Sequence, residues 1–446
     1  LPRLLLIRPA FGAGRNGGAQ EPLVFALLTA LTPPSFSITL VDEHVESLPA
    51  DLEADLVAMT VETYSARRAY QIAAPFRARG IPVVMGGFHP TLLPDEVSQY
   101  ADAVVVGDAE PVWPRLLADF AVGTLQPVYH ADSSAPLENL RLDRRVFAGI
   151  SYAPIFGIQA GRGCRYHCDF CSIHAMYGRS VRTRPIPEII RELEEAGKRL
   201  VFFVDDNLFP NRAYALALFR ALIPLKLKWT CQISIDITAD GELLSLMARS
   251  GCILVLIGFE SLHEENLLQM RKSWNQKSGG FDLAITRLRD QGIMVYGTFV
   301  FGYDADTPDS FATTLEFALR SKMCIANFNP LTPTPGTPLF ERLQRERRLL
   351  HEHWWLDPSY RYGESTFHPR GMTPDQLADG CQQARRDFHA WSSIFQRTLD
   401  RKANASSFRK LGLHLLVNTL SRKEVFRKER IPLAGPEPLP GESLQS

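Results

Sequence analysis

Residues 161–171 read GRGCRYHCDFC and gather three cysteines, Cys164, Cys168 and Cys171, within eight positions. The other four, Cys231, Cys252, Cys324 and Cys381, stand singly. A structural zinc site asks for four ligands, usually in two pairs. His167 and His174 could complete such a set, although ligands this close in sequence strain a tetrahedral cage. Three thiolates suit an iron–sulfur cluster better, because cysteine is its standard ligand. Three cysteines around four irons leave one iron open to a substrate or cofactor.

The triplet needs a scaffold that holds its loop still. Immediately before it lies a short apolar strand, FGIQAG (156–161), and Gly161 and Gly163 loosen the turn that follows. From there strand and helix patterns alternate. Strands are predicted at 200–206, 228–234, 252–261, 293–304 and 324–333, with helical stretches such as IPEIIRELEEAGKRL between them. Six βα units make a partial barrel, short of the eight of a closed one, with a second open sheet as the alternative. Acidic and small polar residues gather where such a barrel builds its active site: Asp205, Asp206 and Asn207 end the second strand, and Glu260 and Ser261 the fourth. For Asp205 and Asp206 helix capping before LFPNRAYALALF is an equal alternative to a ligand contact.

The first part of the chain has its own alternation, with strands at 4–9, 38–43, 56–61, 83–87 and 103–108. Apolar strands without clean in–out periodicity, separated by helices, indicate a parallel, doubly wound sheet. Such sheets bind ligands at the carboxyl ends of their strands, here near Thr60, Gly86-Gly87 and GDAE. The division expected is a doubly wound domain at 1–130, a linker at 131–150, a barrel core at 151–345, a helical C-terminal part at 346–430 and a disordered tail at 431–446.

Cys-x3-Cys-x-(aromatic)-Cys after the first strand of a six-unit barrel closely resembles the radical SAM enzymes. The resemblance implies a [4Fe-4S] cluster on Cys164, Cys168 and Cys171, with S-adenosylmethionine (SAM) chelated by the open iron. It implies reductive cleavage of SAM to a 5′-deoxyadenosyl radical. By position Phe170 is the aromatic near the adenine. Asp205, Asp206, Glu260 and Ser261 are then candidates for the methionyl and ribose parts, Glu260 first among them. The segment around GGFHPTLLPDE and GDAEPVW resembles the cobalamin-binding domain attached to many such enzymes, which places a corrinoid tail between Thr60 and Gly86-Gly87. A plain dinucleotide site is the alternative, but no GxGxxG follows the first strand. DEHVES (42–47) imitates the motif that supplies a lower axial histidine, yet it follows the second strand and lacks the glycine, so His44 and His89 are read as loop histidines.

Composition agrees with this class. With 446 residues, 45% hydrophobic and 22% charged, the chain is expected to fold as a globular protein of two or three domains. Lys+Arg and Asp+Glu are equal at 49 each, so no overall field recruits nucleic acid or anionic membrane. An odd cysteine count around a tight triplet points to a reducing compartment, and a cytoplasmic location is expected. The opening LPRLLLIRPAFG lacks the length of a signal sequence and reads as a first strand, and Leu1 in place of Met is taken as the mark of a trimmed start. The implied activity is C-methylation of an unactivated carbon. The alternatives are cyclisation, ring contraction or oxidation with the same cofactors, or a corrinoid carrier or electron-transfer role. Expected partners are a small apolar substrate (lipid, isoprenoid or tetrapyrrole) and a reductant protein such as a ferredoxin or flavodoxin. The aromatic stretch from His351 to Tyr362 is expected to pack a C-terminal helix against the barrel. FRKLGLHLLVNTLSRKEVFRKER has a leucine face beside many cations, read first as a docking helix and second as a membrane-surface contact.

Overall fold

A computed structural model describes residues 1–12, 19–49, 51–131, 136–276 and 279–439. The first half holds six strands: β1 (Arg3–Arg8), β2 (Ser37–Asp42), β3 (Leu56–Thr60), β4 (Val83–Gly86), β5 (Ala103–Val106) and β6 (Val128–His130). They form one parallel sheet in the order β2-β1-β3-β4-β5-β6. Both faces are buried, which is why the strands read as continuous apolar runs. Leu5, Ile7, Val57, Met59, Val83 and Met85 pack on one side. Leu4, Leu6, Leu56, Ala58, Val84 and Val105 pack on the other. The sixth strand, VYH, lies where sequence reading passes into the linker; three residues are too few to carry a period.

The second half begins with β7 (Phe156–Ile158). A small antiparallel hairpin of β8 (Gly161–Arg162) and β9 (Arg182–Thr183) follows. Then come β10 (Leu200–Phe203), β11 (Lys228–Ile233), β12 (Cys252–Glu260), β13 (Met294–Phe301) and β14 (Ile325–Pro330). Five of these and β7 pair in parallel as β14-β13-β12-β11-β10-β7, with the two end strands unpaired. This is the open, partial (β/α)6 barrel expected. Along β12 and β13 alternate residues are fully buried against the helices, among them Val255, Ile257, Val295 and Phe299. Their neighbours Leu256, Thr298 and Val300 stay partly exposed, so the other face of the sheet lines a space that side chains do not fill.

The last third departs from expectation. Helices do occur at Pro374–Phe388, Trp391–Thr398 and Phe408–Arg427. The aromatic stretch before them, however, sends its two tryptophans to the first sheet. Trp354 and Trp355 are buried in the core on one face of the first sheet. Trp355 Nε1 donates to Glu96 at 3.1 Å, and Tyr64 packs on Trp354 at 5.1 Å between ring centroids. Residues expected to form a disordered tail are also ordered as far as 439. Leu433 and Leu439 are buried beside these tryptophans, and Arg67 and Gln71 donate to carbonyls of that segment. Two leucines in a proline-rich strip suffice to anchor it; residues 440–446 lie outside the described ones. His89 is no loop histidine either. It sits in the helix Phe88–Leu92, buried, with Nε2 3.1 Å from Tyr70 and 3.0 Å from Glu96. Burial alone would raise Glu96, but its bonds to His89, Tyr70 and Trp355 outweigh that and hold it below the usual carboxylate range.

The C-terminal helices carry two buried histidines, His389 and His414, which burial pushes down to about 4. A base whose folded pKa lies below its unfolded value binds fewer protons in the folded state. Stability is therefore lost as pH falls from about 6.5 through 4. The urea midpoint is expected to drop by a few kcal/mol equivalent over that window, at about 1.4 kcal/mol per pKa unit. A His414→Gln variant should lose roughly half of the dependence.

Candidate active site

The cysteine loop spans the gap between β8 and β9. The hairpin is held from below by two carboxylates at the end of β10. Asp205 accepts from Ala160 N at 3.0 Å, and Asp206 accepts from Gly163 N at 3.0 Å. Neither is a helix cap; that place belongs to Asn211, whose side chain accepts from Tyr214 N. Burial pushes Asp205 up to about 7 and Asp206 in the same direction. The backbone N–H donors of Ala160 and Gly163 pull the other way, toward the carboxylate. Gly163 has φ of +85°, and a Cβ there would lie 2.1 Å from Ser180 O, so only glycine lets the two arms of the loop approach.

Within the loop the Cys164 sulfur lies 3.8 Å from Asn207 Nδ2, which is also 3.2 Å from Ser234 Oγ. Cys168 is buried, and Cys171 heads the helix Ser172–Tyr177. Burial pushes the Cys168 thiol up to about 12, against the pull of the Lys272 ammonium nearby. None of the seven cysteines is in a disulfide. Among the described residues no three His, Cys, Asp or Glu side chains gather tightly enough to hold one metal ion. His167 and His174 stand 6.1 Å apart between ring centroids. Three thiols on one loop suit an iron–sulfur cluster better than a four-ligand zinc site. Phe170 packs at the edge of the barrel core. Its neighbour Asp169 accepts a 2.5 Å bond from Tyr303, and Asp169 O accepts from Leu339 N, so the loop is tied to the far side of the barrel.

Glu260 ends β12 in a left-handed conformation, φ 66°, and is buried. Its Oε1 accepts from Lys272 Nζ at 2.7 Å. Gly258 makes room for this pair: a Cβ there would lie 2.1 Å from Glu260 Oε1 and 2.8 Å from Lys272 Nζ. Lys272 is buried and faces Cys168 and Cys171 as well as Glu260. No spacing in the sequence marks this lysine. Removing it strands a buried carboxylate, so Lys272→Met is expected to lower stability by about 3 kcal/mol in urea unfolding. Arg320→Gln, at an exposed pair, should change it by less than about 1 kcal/mol. Ser261 is drawn elsewhere: its Oγ accepts from His263 N at 3.1 Å and Asn266 Nδ2 at 3.3 Å, which organises the turn into the next helix.

Thr60, Gly86 and Gly87 lie on the carboxyl edge of the first sheet and line a cavity of about 310 Å³. Its opposite wall comes from the second half, including Gln159, Arg162 and Tyr177. Apolar side chains such as Leu23 and Leu27 line much of the rest. The wall is fastened by charge. Arg162 meets Asp108 at 3.2 Å and Glu110 at 2.5 Å, and Arg182 meets Asp108 at 2.7 Å. GDAE after β5 therefore grips both strands of the hairpin that carries the cysteine loop. At Gly87, φ +109°, a Cβ would lie 2.9 Å from Val61 O and 3.0 Å from Thr60 Oγ1, so the strand edges close up backbone to backbone. His44 lies outside this group and is bonded to Asp42 at 3.0 Å. Cys231, Cys252, Cys324 and Cys381 are buried away from it in packed cores.

Comparison with known proteins follows the same division. The model of the radical SAM superfamily matches residues 158–318. The chain is 31% identical over 421 residues to the bacteriochlorophyllide d C-12(1)-methyltransferase of Chlorobaculum tepidum, covering 92% of this chain and 90% of that protein. It is 28% identical to the C-8(2)-methyltransferase of the same organism, covering 75% of this chain and 79% of the relative. In fold it is similar to TsrM from Kitasatospora setae, solved with cobalamin and a [4Fe-4S] cluster bound. The TM-score is 0.62 at 16% identity, covering 96% of this chain and 99% of that one. OxsB, solved with aqua-cobalamin and SAM, gives a TM-score of 0.65 at 14% identity, covering 95% and 72%.

Proposed function

This chain belongs to the radical SAM superfamily, among the relatives of the bacteriochlorophyllide methyltransferases, and from that premise we propose that it C-methylates a tetrapyrrole with a corrinoid as methyl carrier. The observation that supports this best is the single cavity walled on one side by Thr60, Gly86 and Gly87 and on the other by the hairpin that carries the cysteine loop. In this reading residues 1–130 hold the corrinoid, 151–345 are the catalytic core, 131–150 connect them, and 346–430 cover both. Cys164, Cys168 and Cys171 would hold the cluster, with Phe170 and Glu260 beside SAM. Bound there, cluster and SAM supply a 5′-deoxyadenosyl radical, and the corrinoid supplies a methyl group to the substrate carbon.

The chain's own residues do the positioning. Asp205 and Asp206 fix the base of the cysteine loop through backbone N–H groups. Asp108 and Glu110 fix the loop relative to the first sheet, so the cavity wall and the thiols move as one body. Leu23, Leu27 and Trp113 keep the cavity apolar, which suits a planar macrocycle and excludes water from a reactive centre. The buried Lys272–Glu260 pair places a cation beside Cys168 and Cys171, where thiolates would gather negative charge.

The test is anaerobic reconstitution with iron, sulfide and hydroxocobalamin, followed by turnover of bacteriochlorophyllide with methyl-deuterated SAM and a strong reductant. Labelled methyl in the product, with 5′-deoxyadenosine, is expected. Nucleoside with an unlabelled, cyclised or oxidised product would replace the methylation reading, and absence of nucleoside would overturn the cluster assignment.

A further inference from the structure

The helices Trp391–Thr398 and Phe408–Arg427 bury polar side chains and leave large apolar ones exposed. An ordinary one buries its apolar stripe and exposes its polar face. The longer helix here buries His414 and Asn418. Asn418 Nδ2 donates to Cys324 O at 2.9 Å, and the His414 ring lies 3.3 Å from the Cys324 sulfur. The shorter one buries Arg397, whose guanidinium donates to Met323 O, Cys324 O and Phe388 O and to Asn418 Oδ1. Both helices are thus locked to the start of β14 by polar bonds set among inward apolar side chains, Ile394 on the shorter helix and Leu413 and Val417 on the longer.

Their outer faces are apolar. Trp391, Phe395 and Leu399 are exposed along the shorter helix and its end, and Phe408, Leu416 and Leu420 along the longer. Arg422 lies over the rings of both Trp391 and Phe426, which joins the two faces into one surface. Elsewhere on the molecule exposed large apolar side chains are few and scattered. The exposed charges mixed into this surface are basic. Arg401, Arg409 and Lys423 are exposed with no acidic partner among the described residues. No exposed residue of either helix is acidic.

We propose that this surface rests on an anionic phospholipid bilayer, with the aromatic and leucine side chains at headgroup depth and the cations on lipid phosphates. Apolar anchors interleaved with Arg and Lys are the chemistry of an interfacial helix, and the single acid of the two helices, the half-buried Glu424, is taken up by Arg427 and Lys428. A second copy of the chain is disfavoured as occupant, because a two-fold contact would set this basic face against itself. No helix among the described residues is long and apolar enough to cross a membrane, so the contact is peripheral. The proposal is independent of the chemistry at the cysteine loop.

Co-sedimentation of the full chain with vesicles tests it. Vesicles of equal parts phosphatidylcholine and phosphatidylglycerol are expected to carry the protein down, and pure phosphatidylcholine much less. Raised salt should weaken binding. Arg409→Gln and Lys423→Gln should each weaken partitioning about five-fold. The double variant Phe395→Glu/Leu399→Glu should abolish it while leaving the urea midpoint unchanged, since both side chains are exposed. The proposal fails if the protein stays in solution with the mixed vesicles, or if these variants sediment like the parent. Self-association without lipid that the double variant abolishes would assign the surface to a second copy instead.

Discussion

Cys168→Ala protein is expected to retain no iron–sulfur absorbance after reconstitution and to form no detectable 5′-deoxyadenosine from SAM. The loop offers three sulfurs, and the cluster has no replacement for the middle one. Cys168 is also the most buried of the three, so an alanine leaves an apolar gap that water fills poorly. The control is Cys231→Ala. That thiol is fully buried in the barrel core, far from the loop in sequence, and its loss should cost about 1 kcal/mol of stability with cluster content unchanged. Iron analysis, visible absorbance and nucleoside yield decide the matter. A Cys168→Ala protein that keeps its iron and cleaves SAM would remove the cysteine loop from the reaction.

Thr60→Phe is expected to separate the two halves of the site. The residue ends β3 and lines the cavity, and Gly87 packs against it with no room for a Cβ. A phenyl ring at position 60 therefore has only the cavity to enter. Corrinoid retention through gel filtration should fall at least about ten-fold, the loss expected for roughly 1.4 kcal/mol of steric conflict. Iron content and SAM cleavage should persist, since the cysteine loop is held by Asp205, Asp206, Asp108 and Glu110 rather than by Thr60. Methyl transfer should be lost with the corrinoid. Undiminished corrinoid retention would mean that the cavity is not its seat.

What sequence made legible was local. Strand runs such as RLLLIR and CILVLIGFE, the helices between them and the three-cysteine spacing are all set by neighbours within a dozen residues. The thiol loop could be placed because it follows a strand directly. The pieces that complete the site are distant pairings. Arg162 and Arg182 meet Asp108 across the two halves of the chain. Lys272 reaches Glu260 from a turn with no periodic pattern. β8 and β9 have two residues each, too short for any alternation. Asp205 and Asp206 were legible as important, as cofactor contacts or as caps; the cap is set aside because the backbone N–H groups of Ala160 and Gly163 take one carboxylate each. The aromatic run at 351–362 was visible, yet its destination was not. Trp355 bonds a residue 259 positions earlier, and Arg67 donates to Leu356 O at a separation of 289.

That last contact has a consequence for how the protein comes into being. One face of the first sheet is finished by Trp354, Trp355, Leu433 and Leu439, all made more than two hundred residues after the last strand of that sheet. During synthesis the sheet must wait with Leu5, Ile7, Val57 and Met59 uncovered, although its own strands are complete by residue 130. Maturation is therefore a closing of the chain upon its beginning. The cavity, which no described residue beyond Val204 lines, needs nothing from that C-terminal clasp to take its shape.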